Sequence, residues 1–166
     1  ALLVLITANN RGVDLNHNYD ASWQLSKQAE LAYGISGPGP TRYSGPYPES
    51  EPESKAVADF TRAHDFQLIL AYHSQGEVIY WDYQGLAGPQ AQEIAKQFSN
   101  VSGYALDQTT GIASYAGYKD WFIQTYRRPG FTIEVGRGTN PLPISQFPKI
   151  YNDNEELLLL ASVITT

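Results

Sequence analysis

The sequence predicts an α/β fold, a mostly parallel mixed sheet flanked by helices, and three observations carry that prediction. Phe66–Tyr72, Val78–Trp81 and Phe131–Val135 are short, almost continuous apolar runs of the kind buried on both faces of a parallel sheet. Segments with apolar residues at three- and four-residue spacing alternate with these runs, as in strand–helix–strand units. At 166 residues, with 42% hydrophobic and 17% charged residues, the chain fits a single domain, residues 1–166, with a substantial core.

The elements follow in chain order. Ala1–Ile6 reads as a buried strand, and Ala8–Asn18 as turn-rich. Gly and Pro crowd Ser36–Pro52 so densely that neither a helix nor a central strand persists there, which makes it an ordered surface loop. Ser50 caps a helix expected to run to about His64, with acids in its first turn and Val57, Phe60, Thr61 and His64 at helical spacing. Gln90–Phe98 is helical, with Ala91, Ile94, Ala95 and Phe98 on one face and Gly103 as its stop. Gly136 ends the strand at Phe131–Val135. Glu155–Ile164 closes the chain as a Leu-rich helix whose acids sit at its N-terminal end.

Composition excludes several classes of function. Seventeen acids against eleven bases give a net charge of -6, so a surface that tracks nucleic-acid phosphates is not expected. The apolar runs Ala1–Ile6 and Leu157–Ile164 are too short to span a bilayer. With no Cys, disulfide frameworks, thiol catalysis and Cys-rich zinc sites drop out, and any metal must sit on His, Asp or Glu. No Met occurs, even at position 1, so the sequence reads as a processed product or an excerpt.

Residues that could carry chemistry stand where strands end, because open α/β sheets bind ligands outside the carboxyl ends of their strands. His73 follows the run ending at Tyr72 and could be a metal ligand, a base or a structural hydrogen-bonding group. Glu134 interrupts an apolar strand, where an unpaired carboxylate is costly. It needs a metal, a catalytic reason, or an ion pair with Arg127, Arg128 or Arg137. Gly12–Asp20 is the densest polar constellation, and within it Asn16-His17-Asn18, taken alone, is a turn whose side chains bond their own backbone. Tyr115, Tyr118, Trp121 and Phe122 flank Gly117 and could form a substrate wall or simply pack. His64 is given no site role.

Five segments in order, Gly12-Val13-Asp14-Leu15-Asn16-His17-Asn18, Gly45-Pro46 leading into Ser50-Glu51-Pro52-Glu53, Tyr72-His73-Ser74-Gln75-Gly76-Glu77, Asp120-Trp121 and Phe131-Thr132-Ile133-Glu134-Val135-Gly136, resemble the zinc carboxypeptidases. The resemblance implies that His73 is a zinc ligand, that Glu134 is the general base and acid, and that Asn16 binds substrate. It further implies a non-proline cis peptide after Ser74, substrate contacts from Ser74 and Tyr118, and a mobile Tyr, for which Tyr115 is the choice and Tyr118 the reserve. Where the family presents an Arg to clasp a C-terminal carboxylate, this chain has His17. Imidazole is a weaker clamp than a bidentate guanidinium. The change resembles the bacterial branch that cleaves γ-D-glutamyl-diamino acid bonds in cell-wall peptides, and implies a peptide or muropeptide substrate and a cell-envelope, secreted or spore-associated location. The family's His-x-x-Glu, which supplies two more ligands to the single zinc ion, is absent from these 166 residues and is expected upstream. On this reading the chain is the larger, C-terminal part of a catalytic domain. The alternatives are an ordinary carboxypeptidase and a non-catalytic peptide-binding module.

Overall fold

A computed structural model describes residues 7–164, and the strand expected over Ala1–Ile6 lies outside them. The chain divides into two compact units, one formed by Ala1–Phe66 with Thr109–Trp121 and the other by Gln67–Gln108 with Phe122–Thr166.

The second unit holds the sheet. Its strands are β1 (Ile69–Ser74), β2 (Val78–Tyr80), β3 (Ala105–Asp107) and β4 (Gly130–Val135), in the spatial order β1-β4-β2-β3. The pairs β1–β4 and β2–β3 are parallel, and β2–β4 is antiparallel. The apolar runs form strands as expected, and Ile79, Phe131 and Ile133 are fully buried. They pack with Ile94, Ala95 and Phe98 of α3 (Gly88–Ser102) and Leu157 of α5 (Phe147–Val163) into one core. There Phe98 meets Phe131 edge-on, with ring centroids 5.0 Å apart. The predicted face of α3 is the buried one, and Gly103 ends it in a left-handed conformation, φ 75°.

The first unit contains α1 (Trp23–Ala32), α2 (Pro52–Arg62), a short 3-10 turn at Leu15–His17 and the loop through Ser36–Pro52. Helix α4 (Tyr118–Tyr126) starts in this unit and ends in the other.

Several boundaries differ from expectation for physical reasons. Glu51 rather than Ser50 precedes α2, and Pro52 opens the helix with its preset φ. The Ser50 hydroxyl instead donates to the Glu51 carboxylate at 2.9 Å. The helix stops at Arg62, two residues short of His64, and buries Ser54, Ala58 and Thr61 rather than Val57 and Phe60, which are exposed. Phe60 packs at the surface in tilted contacts with His64 and Phe66, with centroids 4.2 and 5.7 Å away. The last helix starts eight residues before Glu155, so its acids lie mid-helix rather than at its N-terminus. The sequence reading omitted α1, α4 and β3.

Candidate functional site

At the carboxyl end of β1, His73 stands in register with Glu134 of β4, the last but one pair of a parallel ladder that ends at Ser74 and Val135. Glu134 also pairs with Val78 on the other side of its strand, so a carboxylate occupies an interior strand of the sheet. Burial pushes its carboxyl up to about 7. Among the described residues it forms no ion pair, and Arg137, one of the cations proposed for it from sequence, is bound to Glu77 instead. Tyr80 lies on the neighbouring β2, its phenol raised by burial and by the charges of Glu134 and Asp107. A half-buried carboxyl that titrates near neutrality and is not neutralised by a cation is suited to accepting and returning a proton.

Ser74 is exposed and joined to its neighbour by a cis peptide, Ser74–Gln75, as expected. Its hydroxyl donates to Asn140 Oδ1 at 3.0 Å, and Asn140 Nδ2 donates to the Ser74 carbonyl at 2.9 Å. Asn140 was not singled out from the sequence. The Asn-Pro dipeptide at 140–141 was its only local signal, and that signal indicates a turn rather than a partner 66 residues away.

The other candidates lie in the first unit. Asn16 sits in the 3-10 turn, and its Oδ1 accepts the backbone N–H of Tyr118 at 3.1 Å. His17 is buried, 6% exposed, and its Nδ1 has no hydrogen-bond partner among the described residues. Burial depresses its pKa; Arg42 pushes the same way, and Asp14, Glu30 and Asp120 oppose. Asp14 shows the converse balance. Burial works against its charge, but the imidazole of His17, the hydroxyls of Thr7 and Thr41 and the amide of Arg42 hold its carboxyl below the ordinary range. A neutral imidazole can donate one hydrogen bond and accept one but makes no cationic clamp.

Tyr118 is fixed. Its hydroxyl shares a hydrogen bond with Thr61 at 2.9 Å, and its ring packs against Tyr19 and Trp121 with centroids 5.3 and 6.0 Å away. Tyr115 is half-buried on an extended segment after the 3-10 turn Gly111–Ser114. Trp121 and Phe122 are buried, which makes them packing residues. Asp120, one of the residues that carry the resemblance, pairs with Lys119, which the sequence did not single out; they are joined at 2.8 Å with both side chains buried. Asp120 Oδ2 accepts the N–H of Gly117 at the start of α4. A Lys-Asp dipeptide is ordinarily a solvated surface feature, so nothing local marked it as interior.

The resemblance to the zinc carboxypeptidases implies a metal. His73 has the right donor chemistry, and Glu134 shares its level of the sheet. Among the described residues no group of three His, Cys, Asp or Glu side chains is arranged to hold an ion. The described residues thus fit one ligand position and do not make a whole site.

Comparison with known proteins agrees with the fold and the motifs. Residues 6–157 match the zinc carboxypeptidase family. A γ-D-glutamyl-L-diamino acid endopeptidase of Lysinibacillus sphaericus is 51% identical over 146 residues, covering 88% of this chain and 35% of that protein. Bovine carboxypeptidase B is 30% identical over 174 residues, covering 93% of this chain and 39% of that one. The chain therefore spans little more than a third of the length of these relatives. The murein-tripeptide amidase of Escherichia coli O157 superposes with a TM-score of 0.65 at 18% identity, covering 96% of this chain and 62% of that one, a likeness of fold. Among the described residues, no helix is long and apolar enough to cross a membrane.

Proposed function

Since this chain belongs to the zinc carboxypeptidase family, we propose that it serves zinc-dependent hydrolysis of amide bonds in bacterial cell-wall peptides, at the bond between γ-D-glutamate and a diamino acid. The observation that carries the reading is the pairing of His73 with Glu134 at one strand end, where burial pushes the carboxyl up to about 7 and, among the described residues, it forms no ion pair. Identity of 51% to an endopeptidase named for that bond supports the choice of substrate.

In this reading His73 is one ligand to a single zinc ion, and the remaining protein ligands come from outside the described residues. The ion, when bound, supplies a nucleophile at neutral pH and polarises the scissile carbonyl. Glu134 takes a proton on its carboxylate from the attacking water and returns it to the leaving nitrogen, a task matched to a group that changes charge near neutral pH. Asn16 and His17 orient the peptide, Ser74 and Tyr118 contact it, and Tyr115 closes over it. A neutral His17 makes the enzyme less dependent on a free C-terminal carboxylate than a guanidinium would. We place the protein in the cell envelope, in the secreted fraction or on the spore, where such peptides are found.

The test is Glu134→Gln in the full-length protein. Turnover of a γ-D-glutamyl-diamino acid peptide should fall by roughly 10²–10⁴-fold, with the zinc content unchanged; turnover near wild type overturns the role of Glu134. Bovine carboxypeptidase B, at 30% identity, keeps a second reading open: removal of C-terminal residues. Amidating the substrate's C-terminus separates the two, since only an exopeptidase loses its substrate. Binding of intact peptide with no cleavage by the zinc-loaded wild type would instead mark a peptide-binding module.

A further inference from the structure

Beyond the last rung of the β1–β4 ladder, the loops that leave the two strands are joined by three separate links. The N–H of Gly76 donates to the carbonyl of Gly136 at 2.8 Å, which carries backbone bonding one step past the strands. Ser74 and Asn140 exchange the reciprocal pair of hydrogen bonds described above. The carboxylate of Glu77, only 11% exposed, receives Arg137 Nε on one oxygen at 2.5 Å and Lys149 Nζ on the other at 3.1 Å. Arg137 is itself pinned: Gln146 accepts its N–H at 3.0 Å and donates to its carbonyl at 2.7 Å.

The loops also fit closely. Gly136 has φ 69°, and a Cβ there would lie 2.6 Å from Leu142 and 2.8 Å from Gln146. A Cβ on Gly76 would lie 3.1 Å from Val78 and 3.7 Å from the Cβ of Glu134, so the backbone of the first loop runs beside the carboxylate-bearing residue of the second. Twisted parallel strands have nothing of their own to hold them together past the last rung. The final rungs here carry His73 and Glu134.

We infer that Glu77, with Arg137 and Asn140, positions His73 relative to Glu134 by tying the two loops together. None of the three touches the reacting atoms in this account; they act through the register of the strand ends. The inference rests on the hydrolysis proposed above. Misplacement of a reacting group by about 1 Å can cost on the order of 10²-fold in rate, so a partial loosening should be visible in kcat long before the unit unfolds.

The experiment is a double-mutant cycle, Glu77→Gln and Arg137→Gln singly and together, in the full-length zinc-loaded protein. It reads kcat and KM on a γ-D-glutamyl-diamino acid peptide, the zinc content, and hydrogen exchange at the Gly76 amide. Each single variant should lower kcat about tenfold, leave KM within about twofold, keep its zinc and lose protection at Gly76. The double variant should be no worse than the singles, because both remove the same tie. Asn140→Ala, which breaks a different link, should lower kcat further when added to either. Unchanged kcat with weakened Gly76 protection would overturn the positioning role, leaving the links as a structural clamp. Multiplicative losses in the double variant would overturn the shared tie. Inactivity of the wild type on every peptide would overturn the hydrolysis reading and the positioning role with it, whereas lost activity in the variants alone cannot arise that way.

Discussion

Among the described residues, the largest fully buried side chains of the sheet-bearing unit are Tyr104, Phe98, Phe122, Phe131, Ile79, Ile123, Ile133 and Leu157, whereas in the other unit Glu30, Glu51, Asn18 and Thr61 rank among them. Apart from Ser102, Thr132 and Asn154, every buried polar or charged residue described belongs to the first unit. Its interior is organised by hydrogen bonds. Glu30 accepts Lys27 Nζ at 2.8 Å on one oxygen and the N–H of Ser44 at 2.7 Å on the other, while Lys27 lies over the ring of Tyr43 at 4.0 Å. Apolar burial is non-directional and tolerates repacking, whereas a buried polar network holds only if each member is satisfied. The Gly- and Pro-rich loop at Ser36–Pro52 buries little apolar surface, and side chains of the Asn16–Asn18 turn and α1 supply the partners its backbone needs.

That contrast can be broken from either side. The largest effect is expected in the sheet unit: Phe98→Ala removes the ring packed on Phe131 and should cost roughly 3–5 kcal/mol in denaturant unfolding. A loss under about 1 kcal/mol would mean that the core collapses to fill the space. Next comes Asn18→Ala in the first unit. Asn18 donates to the carbonyls of Ser44 and Tyr47 and to the Ser50 hydroxyl at 2.8, 3.2 and 3.0 Å, and accepts the N–H of Glu51 at 3.1 Å and the Ser54 hydroxyl at 2.5 Å. Truncation strands several buried groups at once and should cost about 3 kcal/mol. The loop's amides, followed by hydrogen exchange, should lose protection first. Protection lost evenly across the chain would show that the network is not local.

The same contrast explains what was legible in the sequence. Apolar patterning exposes elements that bury apolar faces, so β1, β2, β4 and the Ala91, Ile94, Ala95 and Phe98 face of α3 were readable. Helix α1 was not, because its pattern is inverted: Ser26 and Glu30 are buried while Leu25 and Leu31 are exposed. In α4, Trp121, Phe122 and Ile123 are buried in succession, which leaves no amphipathic period to find. Strand β3 is three residues long and largely exposed. At the candidate site, His73 and Glu134 were conspicuous because polar residues at the ends of apolar strands are anomalous. Asn140 was not conspicuous, since a polar residue in a Gly- and Pro-rich turn is what any surface loop contains, and although Glu77 and Arg137 were both named from the sequence, nothing local showed that they pair with each other.

Acid should separate the two units by sign, with the smallest effect of the three. His17 ordinarily titrates at 6.5, and burial holds its folded pKa lower. Between the folded value and 6.5 the unfolded chain binds more protons, so the stability contributed by the neutral imidazole is present above 6.5 and is lost as pH falls through that window. Asp14, whose folded pKa lies below 3.8, adds a loss in the same direction at still lower pH. Glu134 behaves oppositely: its carboxyl rises from 4.5 to about 7 on folding, so the folded state binds the extra proton across that range and acidification from 7 to 4.5 favours it. In metal-free protein taken from pH 7 to pH 5, hydrogen exchange corrected for the intrinsic rate should therefore show protection falling around His17 and rising along β4. The shift at β4 should vanish in Glu134→Gln, and that around His17 should vanish in His17→Asn. Parallel shifts in both units would mean that a group shared by the whole chain, rather than these two buried side chains, sets the response to acid.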